Sequence, residues 1–236
     1  MLNAVPNAGE PASAQLLFSE TRWHYSVHFH AEARGEEVIE NLLSLANCKR
    51  QRALLGAQLR DEAEHTRLFS KITDEIGLDS RADSYANGYA DLVKSQNSLA
   101  EKVFVFQILT EAASAAYCEW RLLAMEESSF SAADKQVRDD ENRHLLMGQS
   151  MLRICDPDEL QRFLPRARRT ELLRAMNEVC KAVSQKEMVR TLYGSSETIS
   201  PKTTLLDRMI SRSVLHEVRA ADRVLELPTL FEEVTA

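Results

Sequence analysis

The stretches RDEAEHTRLF (residues 60–69) and RDDENRHLLM (residues 138–147) contain the same arrangement, an acidic pair followed by a histidine. The two copies are Asp61-Glu62-x-x-His65 and Asp140-Glu141-x-x-His144. Residues three positions apart lie on the same face of an α-helix, so each glutamate and its histidine can offer an oxygen and a nitrogen to one ion. The repeat therefore predicts two helices that face a common metal site.

Apolar residues around both motifs recur at intervals of three and four, and this pattern continues over most of the chain. Such a period indicates helices, and glycine (7 residues) and proline (6 residues) are scarce, which also favours helix. We predict an all-α fold with a four-helix bundle, a long crossover of roughly 20 residues containing a short helix, and additional C-terminal helices. The four main helices are predicted at about 17–46 (A), 48–76 (B), 98–126 (C) and 131–154 (D).

The sequence predicts one folded domain, residues 16–236, after a flexible arm of residues 1–15. The arm is small, polar and without periodicity, which is typical of a disordered terminus. The metal-binding bundle is expected at about 17–154 and the C-terminal helices at about 158–226. These are a short helix after Asp156-Pro157, a longer one at about 167–193, and a last one from Ser200-Pro201 to about Leu225.

Composition excludes several classes of protein. The chain has no uncharged apolar stretch of about 18 residues, so we expect a cytoplasmic protein without a membrane span. Its four cysteines (Cys48, Cys118, Cys155 and Cys180) form no C-x-x-C pair, which argues against a rubredoxin or zinc-ribbon site and predicts reduced thiols. A net charge of -7 argues against general nucleic-acid binding.

An acid interrupts the apolar stripe of each main helix. The acid is Glu32 or Glu36 in helix A, and then Glu62, Glu111 and Glu141 in helices B to D. A buried, unpaired carboxylate costs several kcal/mol, so four of them require a cation.

The spacing of these acids predicts that they meet. Glu62 follows Glu32 by 30 residues, and Glu141 follows Glu111 by 30. The midpoints fall at Asn47 and at position 126, beside EESSFS, and both are suitable turns. Each arm of an antiparallel hairpin is then about 22 Å long, so both pairs lie level near the middle of the bundle.

Four carboxylates and two imidazoles suit two divalent ions such as iron or manganese. The predicted ligands are Glu32, Glu62, His65, Glu111, Glu141 and His144. Asp61 and Asp140 point to a neighbouring helix face, where each can accept the second ring N–H of a ligand histidine.

The order Glu, E-x-x-H, Glu, E-x-x-H resembles the ferritin-like diiron-carboxylate superfamily over about residues 20–153. The resemblance implies a ferritin-like bundle, with Glu32, Glu62 and His65 on one iron and Glu111, Glu141 and His144 on the other. It also implies that Glu62 and Glu141 bridge the two ions. "DENRH" matches the D-E-x-R-H form of bacterial multicomponent monooxygenases and the ribonucleotide reductase small subunit, whereas "DEAEH" has Glu64 in place of the arginine.

The branch of the superfamily follows from departures from its patterns. Phe69 occupies the position of the radical-forming tyrosine, four residues after the first histidine, which disfavours a tyrosyl-radical generator. No rubredoxin module is present, and about 80 residues follow helix D, more than in ferritins. The length of the chain and its ferritin-like core instead resemble small stand-alone diiron oxygenases.

The resemblance implies an oxygenase that uses dioxygen and an external reductant to hydroxylate, N-oxygenate or oxidatively cleave a small organic molecule. We expect specialised, natural-product metabolism, a substrate free or on an acyl or peptidyl carrier protein, a donor such as ferredoxin, and a homodimer. The alternatives are a tRNA-modifying diiron hydroxylase and a non-enzymatic iron-binding or iron-storage bundle.

Two further features bear on the partners of the chain. The small residues of EAASAAY, which begins at Glu111, are expected either to leave a cavity for substrate or to allow close helix packing. A basic cluster is expected to be either a docking surface for an acidic partner or tRNA, or a solvated face. It consists of Arg162, Arg166, Arg168, Arg169 and Arg174.

Overall fold

A computed structural model describes residues 12–124, 130–182 and 201–226, and these residues form helices and no strand. The predicted all-α class is confirmed. None of the described helices combines the length and the apolar character that crossing a membrane requires. The α-helices are α1 (Ala12–Leu45), α2 (Lys49–Ile76), α3 (Asp83–Lys94), α4 (Leu99–Val103), α5 (Glu111–Ala124), α6 (Ser131–Arg153), α7 (Pro157–Phe163), α8 (Arg166–Ala182) and α9 (Pro201–Glu226).

Helices α1 and α2 form the first hairpin and correspond to the predicted helices A and B. The turn lies around Asn47, as predicted, and the Sγ atom of Cys48 accepts a hydrogen bond from the amide of Gln51 at the start of α2. Gly77 ends α2 with a φ of 84°, a conformation that favours glycine. Helix α1 begins at Ala12 rather than near 17, so residues 12–15 of the predicted arm are helical. The alanines at positions 12 and 14 favour helix; residues 1–11 lie outside the described residues.

The crossover between the two hairpins contains the predicted short helix, α3, preceded by a 3₁₀ turn at Ser80–Ala82. Asp79 caps that turn and is buried, with its carboxylate 2.5 Å from Arg81 and 3.4 Å from Arg22 of α1. Helix α3 packs against α1, and the Tyr89 hydroxyl donates a hydrogen bond to the Ala31 carbonyl (2.5 Å). These contacts hold the crossover against the helix that carries Glu32.

The predicted helix C contains three successive helical segments. A π-helix of seven buried residues, Phe104–Thr110, lies between α4 and α5 and ends immediately before Glu111. A π-helix has more residues per turn than an α-helix, so it changes the face on which the following side chains lie. Gly148 of α6 opposes this segment, since a Cβ atom there would lie 2.6 Å from Cβ of Gln107. The predicted turn at position 126 lies outside the described residues.

Helices α7 to α9 form the predicted C-terminal addition. Helix α8 ends its described part at Ala182, and the remainder of the predicted 167–193 helix is not among the described residues. Helix α8 packs against α3 and the π-helix, while α9 packs mainly against α5 and also contacts α6 and the π-helix. Helix α9 therefore covers the helices that carry Glu111 and Glu141, and α8 covers the crossover and the π-helix before Glu111.

The interior of the molecule is formed by apolar side chains from all of the main helices. The aromatic residues Trp23, Phe69 and Phe104 are fully buried. The four cysteines are free thiols; Cys118 and Cys155 are buried, and Cys48 and Cys180 are half-buried. The four thiols form no disulfide, in agreement with the prediction of reduced cysteines.

Candidate metal centre

The six predicted ligands converge in the interior of the helical bundle. Glu32 comes from α1, Glu62 and His65 from α2, Glu111 from α5, and Glu141 and His144 from α6. None of the six is more than 4 % exposed. We call these six residues the carboxylate–histidine cluster.

The donor atoms of the cluster form two overlapping groups in which all atoms lie within 4.8 Å of one another. One group contains Glu32, His65 and Glu141, and the other contains Glu62, Glu111, Glu141 and His144. Glu141 belongs to both, as expected of a bridging carboxylate. Glu62 lies only in the second group, and the bridging roles that the resemblance implies for Glu62 and Glu141 stay predictions.

The choice between Glu32 and Glu36 is resolved by the rotation of α1. Oε2 of Glu32 lies 3.3 Å from Nδ1 of His65. Glu36, one turn further along, is only half-buried and belongs to neither group of donor atoms. Glu32 is therefore the α1 member of the cluster.

The far nitrogen of each cluster histidine lies against an aspartate, as predicted for Asp61 and Asp140. The pairing is crosswise: Nε2 of His65 lies 3.1 Å from Asp140, and Nε2 of His144 lies 3.2 Å from Asp61. Arg143 joins the two aspartates, at 2.7 Å from Asp140 and 3.0 Å from Asp61. Each imidazole thus donates from Nε2 and directs Nδ1 towards the glutamates, the orientation a metal ligand needs.

The charges of the cluster fit a site for cations. Among the described residues, the four glutamates make ion pairs with His65 and His144 and none with an arginine or lysine. Four carboxylates buried without a permanent positive charge are costly unless cations or protons balance them. Oxygen and imidazole nitrogen donors in this number suit two divalent ions of the iron or manganese type.

The pKa values of the cluster reflect its four closely spaced carboxylates. Burial, together with the neighbouring carboxylates, raises the pKa of Glu62 and of Glu111 well above the usual range. Burial alone would lower the pKa of the histidines, but the charge of Glu32 outweighs it at His65, and the hydrogen bond and charge of Glu141 outweigh it at His144. Both histidines reach a pKa of about 9. Protons and cations therefore compete for the same donor atoms.

Two glutamines and a glycine shape the cluster, and the sequence analysis missed all three. The Gln58 amide donates hydrogen bonds to Oε1 of Glu62 (3.3 Å) and of Glu111, and it accepts one from Gln107 of the π-helix. Gly35 of α1 leaves room for Glu62, because a Cβ atom at this position would lie 2.6 Å from its Oε2 atom. The sequence signal for Gln58 is its position four residues before Glu62, because this spacing places both side chains on one face of α2.

A small cavity adjoins the cluster. It is lined by Glu32, Glu62, Glu111 and Glu141, by Ala113 and Ser114 of the EAASAAY stretch, and by mostly apolar neighbours. Its volume of about 30 Å³ has room for a water-sized molecule or two. Cys180 of α8 with Leu206 and Ile210 of α9 forms part of its wall, so the C-terminal helices help to enclose the site.

The predicted basic cluster is only partly a surface. Arg168 contacts Glu101 at 2.8 Å, and Arg169 is buried and contacts Asp222 of α9 at 2.6 Å. These two arginines join helices within the molecule, while Arg162, Arg166 and Arg174 are exposed. The five-arginine docking surface is therefore reduced to three members, which weakens the case for tRNA or an acidic partner at this place.

Comparison of the chain with known protein families, with curated proteins and with solved structures finds no match. Function is therefore inferred from the geometry and chemistry of the carboxylate–histidine cluster.

Proposed function

We propose that the chain is a non-haem diiron oxygenase of the ferritin-like type, which uses dioxygen and an external reductant to oxidise a small organic substrate. One observation carries the proposal: two groups of buried donor atoms share Glu141, and both histidines in them are oriented by aspartates. Two iron ions bound at these donors would supply the electrons that reduce dioxygen and the oxidising power that acts on the substrate.

The roles of the residues follow from their positions. The four glutamates balance the charge of two divalent ions, and the two Nδ1 atoms complete the donor set. Asp61, Asp140 and Arg143 hold the imidazoles at the cluster. Gln58 restrains the glutamates of α2 and α5.

The cavity favours a gaseous co-substrate beside the cluster. About 30 Å³ is enough for a diatomic molecule and far below the roughly 300 Å³ of a pocket for a drug-sized ligand. An organic substrate therefore requires side chains of the wall to move, and the wall residues from the C-terminal helices are Cys180 of α8 with Leu206 and Ile210 of α9.

The proposal is tested by loading the chain with ferrous iron under anaerobic conditions and measuring bound iron and oxygen consumption. We expect two iron ions per chain and oxygen consumption that rises with a reductant and a suitable substrate. Glu141→Ala should lose both properties, and Glu62→Ala, which removes a member of one group only, should keep about one ion per chain and lose the oxygen consumption. A folded wild-type chain that binds no iron, or variants that bind and react like the wild type, would refute the proposal. Parallel loading with manganese distinguishes the two metals.

A non-enzymatic iron-binding bundle is the second candidate, because the same donor set would also hold iron without catalysis. It predicts bound ions that do not support substrate-dependent oxygen consumption. For iron storage, it predicts a large hollow oligomer that binds many ions per chain. Size-exclusion chromatography with iron analysis separates these outcomes from the oxygenase, and it also tests the predicted homodimer. A gel shift with tRNA at two salt concentrations tests the tRNA-modifying alternative.

A further inference from the structure

Glu141 is connected to a second set of buried and half-buried polar groups, which the proposed donor set does not include. The Ser114 hydroxyl donates a hydrogen bond to Oε1 of Glu141 (2.8 Å), and Nε2 of His28 lies 3.1 Å from Oγ of Ser114. On the other side of the His28 ring, Nδ1 accepts a hydrogen bond from NH1 of Arg121. His28 and Arg121 are 2 % and 1 % exposed.

The direction of every hydrogen bond in this chain of contacts follows from the guanidinium. Arginine has donors only, so Nδ1 of His28 must accept and the ring proton must reside on Nε2. Nε2 therefore donates to Ser114, whose own proton is left to donate to Glu141. All three hydrogen bonds point from the positive charge towards the carboxylate. We call Arg121, His28 and Ser114 the donor chain.

The donor chain is anchored at its far end and along its length. Nε of Arg121 donates to Asp134 (2.8 Å), and the Tyr25 hydroxyl donates to the other oxygen of that carboxylate (2.8 Å). The imidazole of His28 stacks on Phe69, with ring centroids 4.9 Å apart and an angle of 3° between the planes. Phe69, at the position of the family's radical-forming tyrosine, thus serves here as a platform for His28.

We propose that the donor chain positions Glu141 as the carboxylate shared by the two ions of the centre. The hydrogen bond from Ser114 to Oε1 limits rotation of the Glu141 carboxylate, and Oε2 lies 3.1 Å from Nδ1 of His144, one of the proposed ligand atoms. Glu141 is also the glutamate that belongs to both groups of donor atoms. The inference rests on the proposed function, because a shared ligand requires two bound ions.

The same geometry distinguishes positioning from proton delivery. Once the Nε2 proton left His28, Arg121 could not replace it, since a guanidinium does not deprotonate in proteins. Beyond Arg121 the contacts lead to Asp134 and Tyr25, which are only 2 % and 1 % exposed. His28, Ser114 and Arg121 are therefore positioning residues and not a source of protons.

The test uses Co²⁺, whose visible absorption reports the number and geometry of its ligands. Purified wild type, Ser114→Ala, Ser114→Thr and the control Ala113→Ser are titrated with Co²⁺ against a competing chelator, and absorption spectra and bound ions per chain are recorded. Ala113 also lines the cavity but does not belong to the donor chain, so Ala113→Ser controls for a change in the cavity wall.

We expect Ser114→Ala to bind Co²⁺ about 10- to 100-fold more weakly, the usual effect of removing a partner of a metal ligand, with a changed spectrum. Ser114→Thr keeps the hydroxyl and should restore the wild-type spectrum, and Ala113→Ser should resemble the wild type. His28→Phe preserves a ring on Phe69 and should give an intermediate effect, because the Ser114 hydroxyl remains but loses its orienting donor.

The outcomes separate this inference from the proposed function. If the wild type binds two Co²⁺ ions and Ser114→Ala matches it in affinity and spectrum, the positioning role is wrong while the metal centre stands. If Ser114→Thr fails to restore the spectrum lost in Ser114→Ala, the hydroxyl is not the responsible group. If the wild type binds no Co²⁺, iron or manganese, the proposed function fails and the inference fails with it.

Discussion

Nε2 of His65 on α2 lies 3.1 Å from Oδ2 of Asp140 on α6, so the aspartate of one motif holds the histidine of the other. The reciprocal contact between His144 and Asp61 is 3.2 Å long. This exchange joins the two hairpins through the very residues that the repeated motif contains, and it makes the orientation of each histidine dependent on the neighbouring helix.

Removing one of these aspartates should weaken metal binding without unfolding the chain. Asp140→Ala deprives the His65 imidazole of its acceptor, and we expect about 10- to 100-fold weaker binding of one ion. The matched control is Asp139→Ala, since Asp139 is exposed and pairs with Arg138. Titration with Mn²⁺ or Co²⁺ against a competing chelator measures the metal affinity of both variants. Equal losses in the two variants would contradict an orienting role for Asp140.

The shared position of Glu141 predicts unequal effects of three glutamate substitutions. Glu141→Gln removes a carboxylate from both groups of donor atoms and should impair both ions, whereas Glu111→Gln affects only one group and should leave about one ion per chain. Glu36 lies outside both groups, so Glu36→Gln should retain two ions per chain. Elemental analysis after dialysis gives the number of ions bound per chain. If Glu36→Gln lost an ion and Glu32→Gln did not, the assignment on α1 would be wrong.

Metal affinity should increase with pH. The pKa of His65 and of His144 is raised to about 9, so at neutral pH these imidazoles hold protons that an ion must displace. The pKa of Glu62 and of Glu111 is also raised, which shifts the competition in the same direction. As pH rises towards 9 the donors become free, and the apparent affinity should rise about tenfold per pH unit for each displaced proton. Calorimetric titration in two buffers of different ionisation enthalpy counts these protons. A pH-independent affinity between pH 6 and 9 contradicts this competition.

Replacing each of two helical glycines by alanine should have different effects on metal binding. At Gly35 the added Cβ atom would lie 2.6 Å from Oε2 of Glu62, so Gly35→Ala should displace that carboxylate and lower metal affinity. At Gly56 no atom lies within 4 Å of the added Cβ, so Gly56→Ala should leave metal binding unchanged and stabilise α2 by about 1 kcal/mol. Thermal unfolding and metal titration of both variants test the pair. Undiminished metal affinity in Gly35→Ala means that Glu62 needs no room beside α1.

The helices and most of the cluster were predictable because they depend on local patterns. The 3.6-residue apolar period located α1, α2 and α6 to within a few residues, apart from the start of α1. An acid in an apolar stripe is costly to bury, so its repeated occurrence at matching distances from a turn already indicated a cation site. The sequence by itself therefore determined the helix class and brought Glu62, Glu111 and both histidines into one predicted centre.

Only the tertiary structure decided how these side chains relate across helices. The choice of Glu32 over Glu36, the crosswise aspartates, the membership of Glu141 in both groups and the donor chain through His28 all depend on how neighbouring helices rotate and slide against each other. A helical period places a residue on a face but does not determine that rotation, and the π-helix before Glu111 changes it again. The same reason explains Arg168 and Arg169, whose charged pattern looked like surface until the packing of α8 provided partners in the interior.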